Sequence, residues 1–427
     1  MCKLGGGALP QTPAARTTNS DGTKTRKEIT IMRRHTRRTL DLTGASGSAV
    51  LLLVLAAALA ISPACKRAEA PVAASAPAAQ APPAGEFGIE KNSSKLQVGF
   101  VMVGSVTDWG WNYQHNQGRL ELEKAMGSKV HTVVAENIPE NADAERVMQR
   151  MATAGAKLIF STSYGYKDFC LRVATNNPGT IFMQAQAPLE APNAATYNGA
   201  IWEASYAAGV AAAASLPTIT RYGFIGAHPV PPIFWTVNAF ALGAQSVNPK
   251  VTVDVVYTNS WHDPAAETEA LNSLAAQGVK VVYALVDSTI AVIQAAEKSG
   301  IYCISHHADL AQFAPKYYIT GAIWKWGKLY EDVAQQVIDG TWKPQPVDGG
   351  FKAGYVGLAT FGPVVTEAAK ARVQVTIDRI KSGNLNIFAG PIWDNKGALR
   401  VPKGKALSVP EIVSLDWVVK GVRTGSN

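Results

Sequence analysis

The chain has 427 residues, a length typical of a leader followed by two domains, and 47% of them are hydrophobic, enough to fill sizeable cores. Residues 1–64 carry nine Lys/Arg and three Asp/Glu, a net charge of +6, so only +2 of the total of +8 remains for residues 65–427. This distribution argues against nucleic acid as a partner, because the folded part has almost no excess of basic residues.

The first 64 residues have the pattern of an export leader. Residues 32–40, "MRRHTRRTL", form a basic segment, and the apolar run from Ala49 to Ile61 is too short to span a bilayer but suits a signal peptide. Thr36–Leu40 resembles a twin-arginine signal, and a general secretory signal explains the arginines equally well. Met32 is an alternative translation start.

A candidate lipid anchor follows the leader. Ile61–Lys66, "ISPACK", resembles a lipoprotein signal in which Cys65 becomes the acylated N-terminus, although Ser62 and Pro63 leave cleavage at another site open. Residues 65–94 are rich in Ala and Pro, which is typical of a flexible linker. We therefore expect an exported protein, periplasmic or at the cell surface, that is tethered to the membrane.

The rest of the chain alternates strand-like and helix-like segments. The predicted strands are Leu96–Val103, Val130–Val134, Leu158–Ser161, Thr180–Met183, Arg221–Ile225, Val251–Tyr257, Val279–Leu285 and Tyr302–Ser305. The predicted helices are Asn112–Met126, Ala142–Ala154, one starting near Asp168, Trp202–Leu216, Phe234–Ser246, Pro264–Ala276 and Ile290–Lys298. The alternation of strands and helices occurs in two successive runs, so we expect two similar lobes, each a mostly parallel sheet flanked by helices.

Two such lobes usually hold a ligand in the crevice between them, at the carboxyl ends of their strands. We expect the first lobe to comprise residues 95–217 and about 320–350, and the second to comprise 218–319 and about 351–427, with hinges near Pro217, Gly321 and Gly349–Gly350. The segment "TDWGWNYQ" (107–114) follows the first strand and concentrates aromatic, acidic and amide side chains at this crevice.

Several motifs make residues 96–421 resemble the basic membrane protein family of binding proteins, which includes purine nucleoside receptors of ABC importers. The opening signature appears as Asp108, Trp109, Gly110, Trp111 and Asn112, with Gly118 six residues later. Further matches are "TSYGY" (162–166), "WEASY" (202–206), "NAFALGAQSVNP" (238–249), "WKWGKLYEDV" (324–333), "GPIWDNKG" (390–397) and "LDWVVKGV" (415–422).

This resemblance implies a type-I periplasmic binding protein fold and a purine ligand in the inter-lobe cleft, stacked on aromatic rings and read at its edge by Asp and Asn. It also implies a monomer that delivers ligand to ABC permease subunits and needs no cofactor. Nucleoside binders of the family carry an Asp-Ser-Asp run, whereas this chain has His307–Ala308–Asp309. We therefore expect a free base, adenine first, over a nucleoside.

The candidate ligand-binding residues are Asp108, Trp109, Trp111, Asn112, Tyr164, Trp202, Glu203, Phe234, Asp287, Asp309 and Trp324. Each has a structural alternative. Asp108, Asn112 and Asp287 suit helix caps, Glu203 suits the start of a helix, and the aromatic residues suit core positions. Trp109 and Trp111 alternate, so one of them can line the cleft while the other packs beneath it.

Other site chemistries lack support in the sequence. Cys2, Cys65, Cys170 and Cys303 have no metal spacing and imply no disulfide framework, and adjacent His306 and His307 point to opposite faces of a strand. We expect no metal and no catalysis, since nucleophile elbows, phosphate loops and metalloprotease motifs are absent. A ligand-sensing lipoprotein that reports to a receptor, or a ligand other than a purine, remains an alternative.

Overall fold

The structure, a computed structural model, describes residues 86–425. The predicted leader, Cys65 and most of the linker lie outside the described residues. In residues 86–425, no helix is long and apolar enough to cross a membrane.

Strands and helices alternate through most of the described chain. The strands are β1 (Leu96–Val101), β2 (Val130–Ala135), β3 (Leu158–Ser161), β4 (Ile181–Ala185), β5 (Glu190–Ala191), β6 (Ala194–Gly199), β7 (Arg221–Gly226), β8 (Thr252–Tyr257), β9 (Val281–Leu285), β10 (Tyr302–His307), β11 (Tyr318–Trp324), β12 (Val347–Gly349), β13 (Val356–Leu358), β14 (Ile392–Trp393), β15 (Leu399–Val401) and β16 (Val422–Thr424). The α-helices are α1 (Trp111–Met126), α2 (Ala142–Ala154), α3 (Lys167–Asn176), α4 (Ile201–Ser215), α5 (Pro231–Val247), α6 (Pro264–Ala276), α7 (Ile290–Ser299), α8 (Trp326–Ile338), α9 (Glu367–Lys381) and α10 (Val409–Val413).

These elements build two large sheets and a separate two-stranded antiparallel sheet of β14 and β15. The first has the order β12-β6-β4-β3-β1-β2, with the short β5 pairing β6, and the second has the order β13-β11-β10-β9-β7-β8-β16. Within the two large sheets, all pairs are parallel except β5 with β6 and β11 with β13. We call the first sheet with its helices the first lobe, and the second sheet with its helices the second lobe. The predicted two-lobed α/β architecture is confirmed.

Local sequence signals explain where several helices begin. The side chain of Asn141 accepts the N–H of Asp143 and caps α2, while the side chain of Asp263 caps α6 just before Pro264. The strands carry apolar side chains on both faces because helices cover both sides of a parallel sheet, as the fully buried β3 and β9 illustrate.

The chain passes between the lobes at positions that differ from the predicted ones. Helix α4 packs on α5 and α9 of the second lobe, so the first passage lies at Ala200 rather than near Pro217. Strand β11 belongs to the second sheet, and α8 packs on α1, so the second passage lies at Lys325 rather than near Gly321. The third follows β12 at Gly350. The N–H of Ala200 donates to the carbonyl of Gly349 at 2.7 Å, which joins two of these passages.

Candidate ligand-binding cleft

A cleft of about 490 Å³, including the space open to solvent, lies between the lobes at the carboxyl ends of their central strands. The first lobe contributes Val103, Trp111, Ser163, Tyr164 and Gln186. The second lobe and the start of α4 contribute Ile201, Pro232, Trp235, Thr236, Trp261, Leu285, Asp287, His306, His307 and Trp324. The predicted residues Trp111, Tyr164, Asp287 and Trp324 are therefore brought together here from both lobes.

Two tryptophans of the lining are held rigidly by hydrogen bonds. The indole N–H of Trp111 donates to the carbonyl of Thr162 at 2.6 Å, and that of Trp324 donates to Nδ1 of His307 at 2.9 Å. The two rings meet edge to face, with centroids 5.7 Å apart, and Trp324 stacks on Trp326 at 4.5 Å. This part of the wall is aromatic and preorganised, which lowers the entropy cost of binding a planar ligand.

His307 completes this wall as a neutral ring. Its Nε2 donates to the carbonyl of Val286 at 3.0 Å, and its Nδ1 accepts from Trp324, so both ring nitrogens are occupied. Burial lowers the pKa of His307 to about 3. Within residues 86–425, no group of three or more His, Cys, Asp or Glu side chains is arranged to hold a metal ion.

The carboxyl of Asp287 is the one acidic group in the described lining of the cleft. Its side chain makes no hydrogen bond to another described residue, although its backbone is well bonded. Burial raises the pKa of Asp287 well above its usual value, and the negative charges of Asp108, Glu140 and Glu267 raise it further. Ionisation of this carboxyl is therefore unfavourable while it has no partner. Such a group in a cleft is suited to a hydrogen-bonding ligand.

Three further polar groups of the lining are free to meet a ligand. The side-chain amide of Gln186 and the hydroxyl of Tyr164 make no hydrogen bond within the described chain, and the indole N–H of Trp235 is buried without a partner. Gln186 has φ of 57°, a conformation that costs a non-glycine residue about 1–3 kcal/mol and that here turns its side chain into the cleft. The lining thus offers donors and acceptors between aromatic faces.

Asp108 and Asn112 have the structural role that the sequence left open as an alternative. The carboxylate of Asp108 accepts the N–H groups of Gly110, Asn112 and Tyr113 at 2.8, 3.1 and 2.8 Å, which caps the start of α1. The side-chain amide of Asn112 donates to Asp108 and accepts from the N–H of Gly104 at 3.1 Å. Both side chains hold the loop in shape and lie outside the cleft lining.

Trp109 and Phe234 also lie outside the lining. Trp109 stacks on Tyr113 at 4.7 Å and meets Phe313 of the second lobe edge to face at 5.5 Å, so it joins the lobes beside the cleft. Phe234 lines a separate hollow together with Tyr257 and Trp417. Its neighbour Trp235 takes the position in the cleft that the sequence assigned to Phe234.

Trp202, Glu203 and Asp309 are likewise away from the lining. Trp202 supports Trp235 from behind, with ring centroids 5.8 Å apart. The carboxylate of Glu203 accepts the N–H of Phe351 at 2.7 Å beside the third passage between the lobes, and burial raises its pKa. Asp309 is exposed and accepts the N–H groups of Ala311 and Thr360 at 3.1 and 2.9 Å.

The lining contains residues that the sequence did not single out as ligand contacts. Gln186, Trp261 and His306 follow or end strands β4, β8 and β10, so the rule that locates ligands at the carboxyl ends of strands could have found them. To predict Trp235, the exact rotation of helix α5 about its axis would have to be known. His306 was considered only as a metal ligand.

Comparisons with known proteins give the family. A profile described as ABC transporter substrate-binding protein PnrA-like (Bmp) matches residues 95–385. The chain belongs to this family. It is 42% identical to the purine-binding protein of Brucella abortus (strain 2308), over 77% of this chain and 93% of the relative. The binding protein is therefore a non-enzymatic, extracytoplasmic solute-binding component of an ABC transporter.

Solved structures share the fold. A solute-binding protein of an ABC transporter system from Conexibacter woesei has a TM-score of 0.58 at 22% identity, over 68% of this chain and 98% of that chain. A solute-binding protein from Aeropyrum pernix K1 has a TM-score of 0.60 at 17% identity, over 68% of this chain and 92% of that chain. These matches agree with the two-lobed periplasmic binding protein architecture.

Proposed function

We propose that the binding protein captures a free purine base, with adenine preferred, between aromatic rings of its two lobes. The observation that carries this proposal is the combination of the lining: Trp111 and Tyr164 from one lobe, Trp235 and Trp261 from the other, and the unpaired carboxyl of Asp287. Stacking on an aromatic side chain contributes about 1–3 kcal/mol per base. The purine-binding relative from Brucella abortus supports the same ligand class.

The preference for a base over a nucleoside rests on what the lining lacks. Ribose hydroxyls are usually held by a carboxylate, and Asp287 is the one acid in the described lining. Asp309, the remaining acid of the His307–Ala308–Asp309 run, has both carboxylate oxygens engaged by backbone N–H groups outside the cleft. A nucleoside would bring sugar hydroxyls into a site that has no second carboxylate to hold them.

Asp287 suits the edge of adenine in this proposal. A carboxylate accepts hydrogen bonds, and adenine offers N–H groups at its exocyclic amine and on its ring. Desolvation in the closed cleft increases the contribution of such a bond to ligand discrimination, because an analogue lacking the donor leaves the buried carboxylate unpaired. The acyl anchor at Cys65 and the delivery of ligand to membrane-embedded permease subunits belong to the same proposal.

Calorimetric titration tests this function. The protein produced without residues 1–65 is unfolded and refolded to remove bound ligand, and is then titrated with adenine, adenosine, hypoxanthine and guanosine. Adenine should bind more tightly than adenosine. Tighter binding of nucleosides would overturn the free-base proposal, and failure of all four compounds to bind would overturn the purine proposal itself.

A further inference from the structure

A chain of buried hydroxyl groups runs from helix α4 to the cleft and ends on His306. The hydroxyl of Ser205 lies 2.9 Å from the carbonyl oxygen of Ile201 and 3.0 Å from the hydroxyl of Tyr283, and the Tyr283 hydroxyl lies 2.7 Å from Nδ1 of His306. The other ring nitrogen of His306 makes no hydrogen bond in residues 86–425, and the residue lines the cleft.

The proton positions along this chain follow from its first contact. A carbonyl oxygen only accepts, so we assign the single proton of the Ser205 hydroxyl to the bond with Ile201. The bond between Ser205 and Tyr283 then requires the Tyr283 hydroxyl to donate to Ser205. Because the Tyr283 hydroxyl donates its one proton to Ser205, its oxygen accepts from Nδ1–H of His306.

We infer that His306 is held as a fixed hydrogen-bond acceptor toward the cleft, with its Nε2 unprotonated, and that it selects a 6-aminopurine over a 6-oxopurine. This inference rests on the proposed function of the same cleft. A lone pair at Nε2 needs an N–H group of the ligand opposite it. The exocyclic amine of a 6-aminopurine supplies that donor, whereas the carbonyl oxygen of a 6-oxopurine places a second acceptor there.

The surroundings keep the ring neutral, as this role requires. Burial lowers the pKa of His306 well below its usual value, and the neighbouring ring of His307, 4.4 Å away between centroids, lowers it further. Burial also raises the pKa of Tyr283, so the phenol retains the proton that it donates to Ser205. Protonation changes therefore do not disturb the order of donors and acceptors near neutral pH.

Two substitutions change the relay without touching the lining. Ser205→Ala removes the acceptor of the Tyr283 proton, so the phenol turns to donate to Nδ1 of His306 and moves the imidazole proton to Nε2. Tyr283→Phe frees Nδ1 altogether. Tyr330→Phe is the matched control, because its hydroxyl also contacts Nδ1 of a buried histidine, His115, but neither residue lines the cleft.

The experiment measures the ratio of adenine to hypoxanthine affinity by calorimetry, together with the tautomer of His306 by long-range ¹H–¹⁵N NMR, assigned with His306→Gln. The wild type should favour adenine by about 5- to 150-fold and show an unprotonated Nε2. In Ser205→Ala, the imidazole proton of His306 should be on Nε2, and the preference for adenine should be mostly lost or reversed. In Tyr283→Phe, the preference for adenine should be weaker than in the wild type. Tyr330→Phe should keep the wild-type ratio.

The outcomes separate this inference from the proposed function. Adenine binding with a ratio that Ser205→Ala leaves unchanged would overturn the role of His306 and leave purine binding intact. A wild-type Nε2–H signal in NMR would overturn the relay even if no purine bound. If the wild type bound no purine but showed unprotonated Nε2, the acceptor would stand, while the selection of a 6-aminopurine would fall with the proposed function.

Discussion

The backbone N–H of Trp111 in the first lobe donates to the backbone carbonyl of Asp287 in the second lobe, at 2.8 Å. Directly before this bond, Gly110 lies so close to Asp287 that a Cβ atom at position 110 would be 1.5 Å from the same carbonyl oxygen. Any side chain at 110 overlaps the opposite lobe. The closed arrangement of the two lobes therefore requires glycine here, and the motif glycine acts by being small.

Gly110→Ala should prevent full closure while leaving each lobe folded. The added methyl group meets the other lobe only in the closed form, so the variant should bind ligand at least about tenfold more weakly. Small-angle X-ray scattering with and without saturating ligand would show a wild-type compaction that the variant lacks.

Gly179→Ala is the matched control, since a Cβ at position 179 meets no atom within 4 Å. It should bind and close as the wild type does. Normal closure and affinity in Gly110→Ala would contradict the contact between Gly110 and Asp287.

Asp287→Asn should weaken adenine binding by about 10- to 150-fold, because a hydrogen bond to a charged group contributes about 1.5–3 kcal/mol. The carboxyl of Asp287 accepts N–H groups of the ligand when it is ionised. Its pKa is raised by burial, so wild-type affinity should fall as the pH is lowered through that raised pKa, whereas the Asn variant should respond less. Titrations across a pH series in both proteins would show whether the two profiles differ.

The same substitution should stabilise the protein without ligand. A carboxyl whose pKa is raised in the folded state stabilises it fully only below the unfolded-state pKa, near 3.8, and this contribution is lost as the pH rises through the raised pKa. At neutral pH, Asp287→Asn should therefore have the higher Tm, and the difference should shrink toward acid pH. A lower Tm for the Asn variant at neutral pH would show that the carboxylate has a stabilising partner.

Much of the fold was predictable because its signals are local. Periodic apolar positions predicted α2 and α6 with the correct ends, where the structure has a cap at Asn141 and Pro264 at a first helical position. Strand β11 was not predicted, and with it the passage at Lys325 was missed, because Gly321 interrupts the apolar run "YITGAIW" and a glycine there also suits a hinge. The assignment of α4 to a lobe depends on packing against α5, which no local pattern records.

The site was harder to predict for a physical reason. Residues after strands of a parallel sheet gather at one edge, which led to Tyr164 and Asp287. The direction of each side chain within a loop depends on nearby backbone N–H groups, and these turned Asp108 into a cap. For the same reason, the sequence does not show whether Phe234 or Trp235 faces the cleft, because a rotation of the helix by one residue exchanges their positions.

Trp261→Ala should weaken ligand binding by about 5- to 150-fold, the equivalent of about 1–3 kcal/mol of stacking. Its ring is only partly buried and lines the cleft from a loop after β8, so its removal should cost little fold stability. Trp393→Ala is the control, because Trp393 is 45% exposed on the β14–β15 hairpin away from the cleft. Equal affinities for the two variants would remove Trp261 from the stacking surface.

Asp309→Ala should leave the ratio of adenine to adenosine affinity unchanged. Asp309 is exposed, and its carboxylate holds the N–H groups of Ala311 and Thr360, so its removal should only lower Tm by a few degrees. Asp309→Asn keeps one acceptor oxygen and should restore part of that stability. If Asp309→Ala instead weakened adenosine binding selectively, the carboxylate would have to turn into the cleft when a nucleoside binds, and the free-base preference would lose its main support.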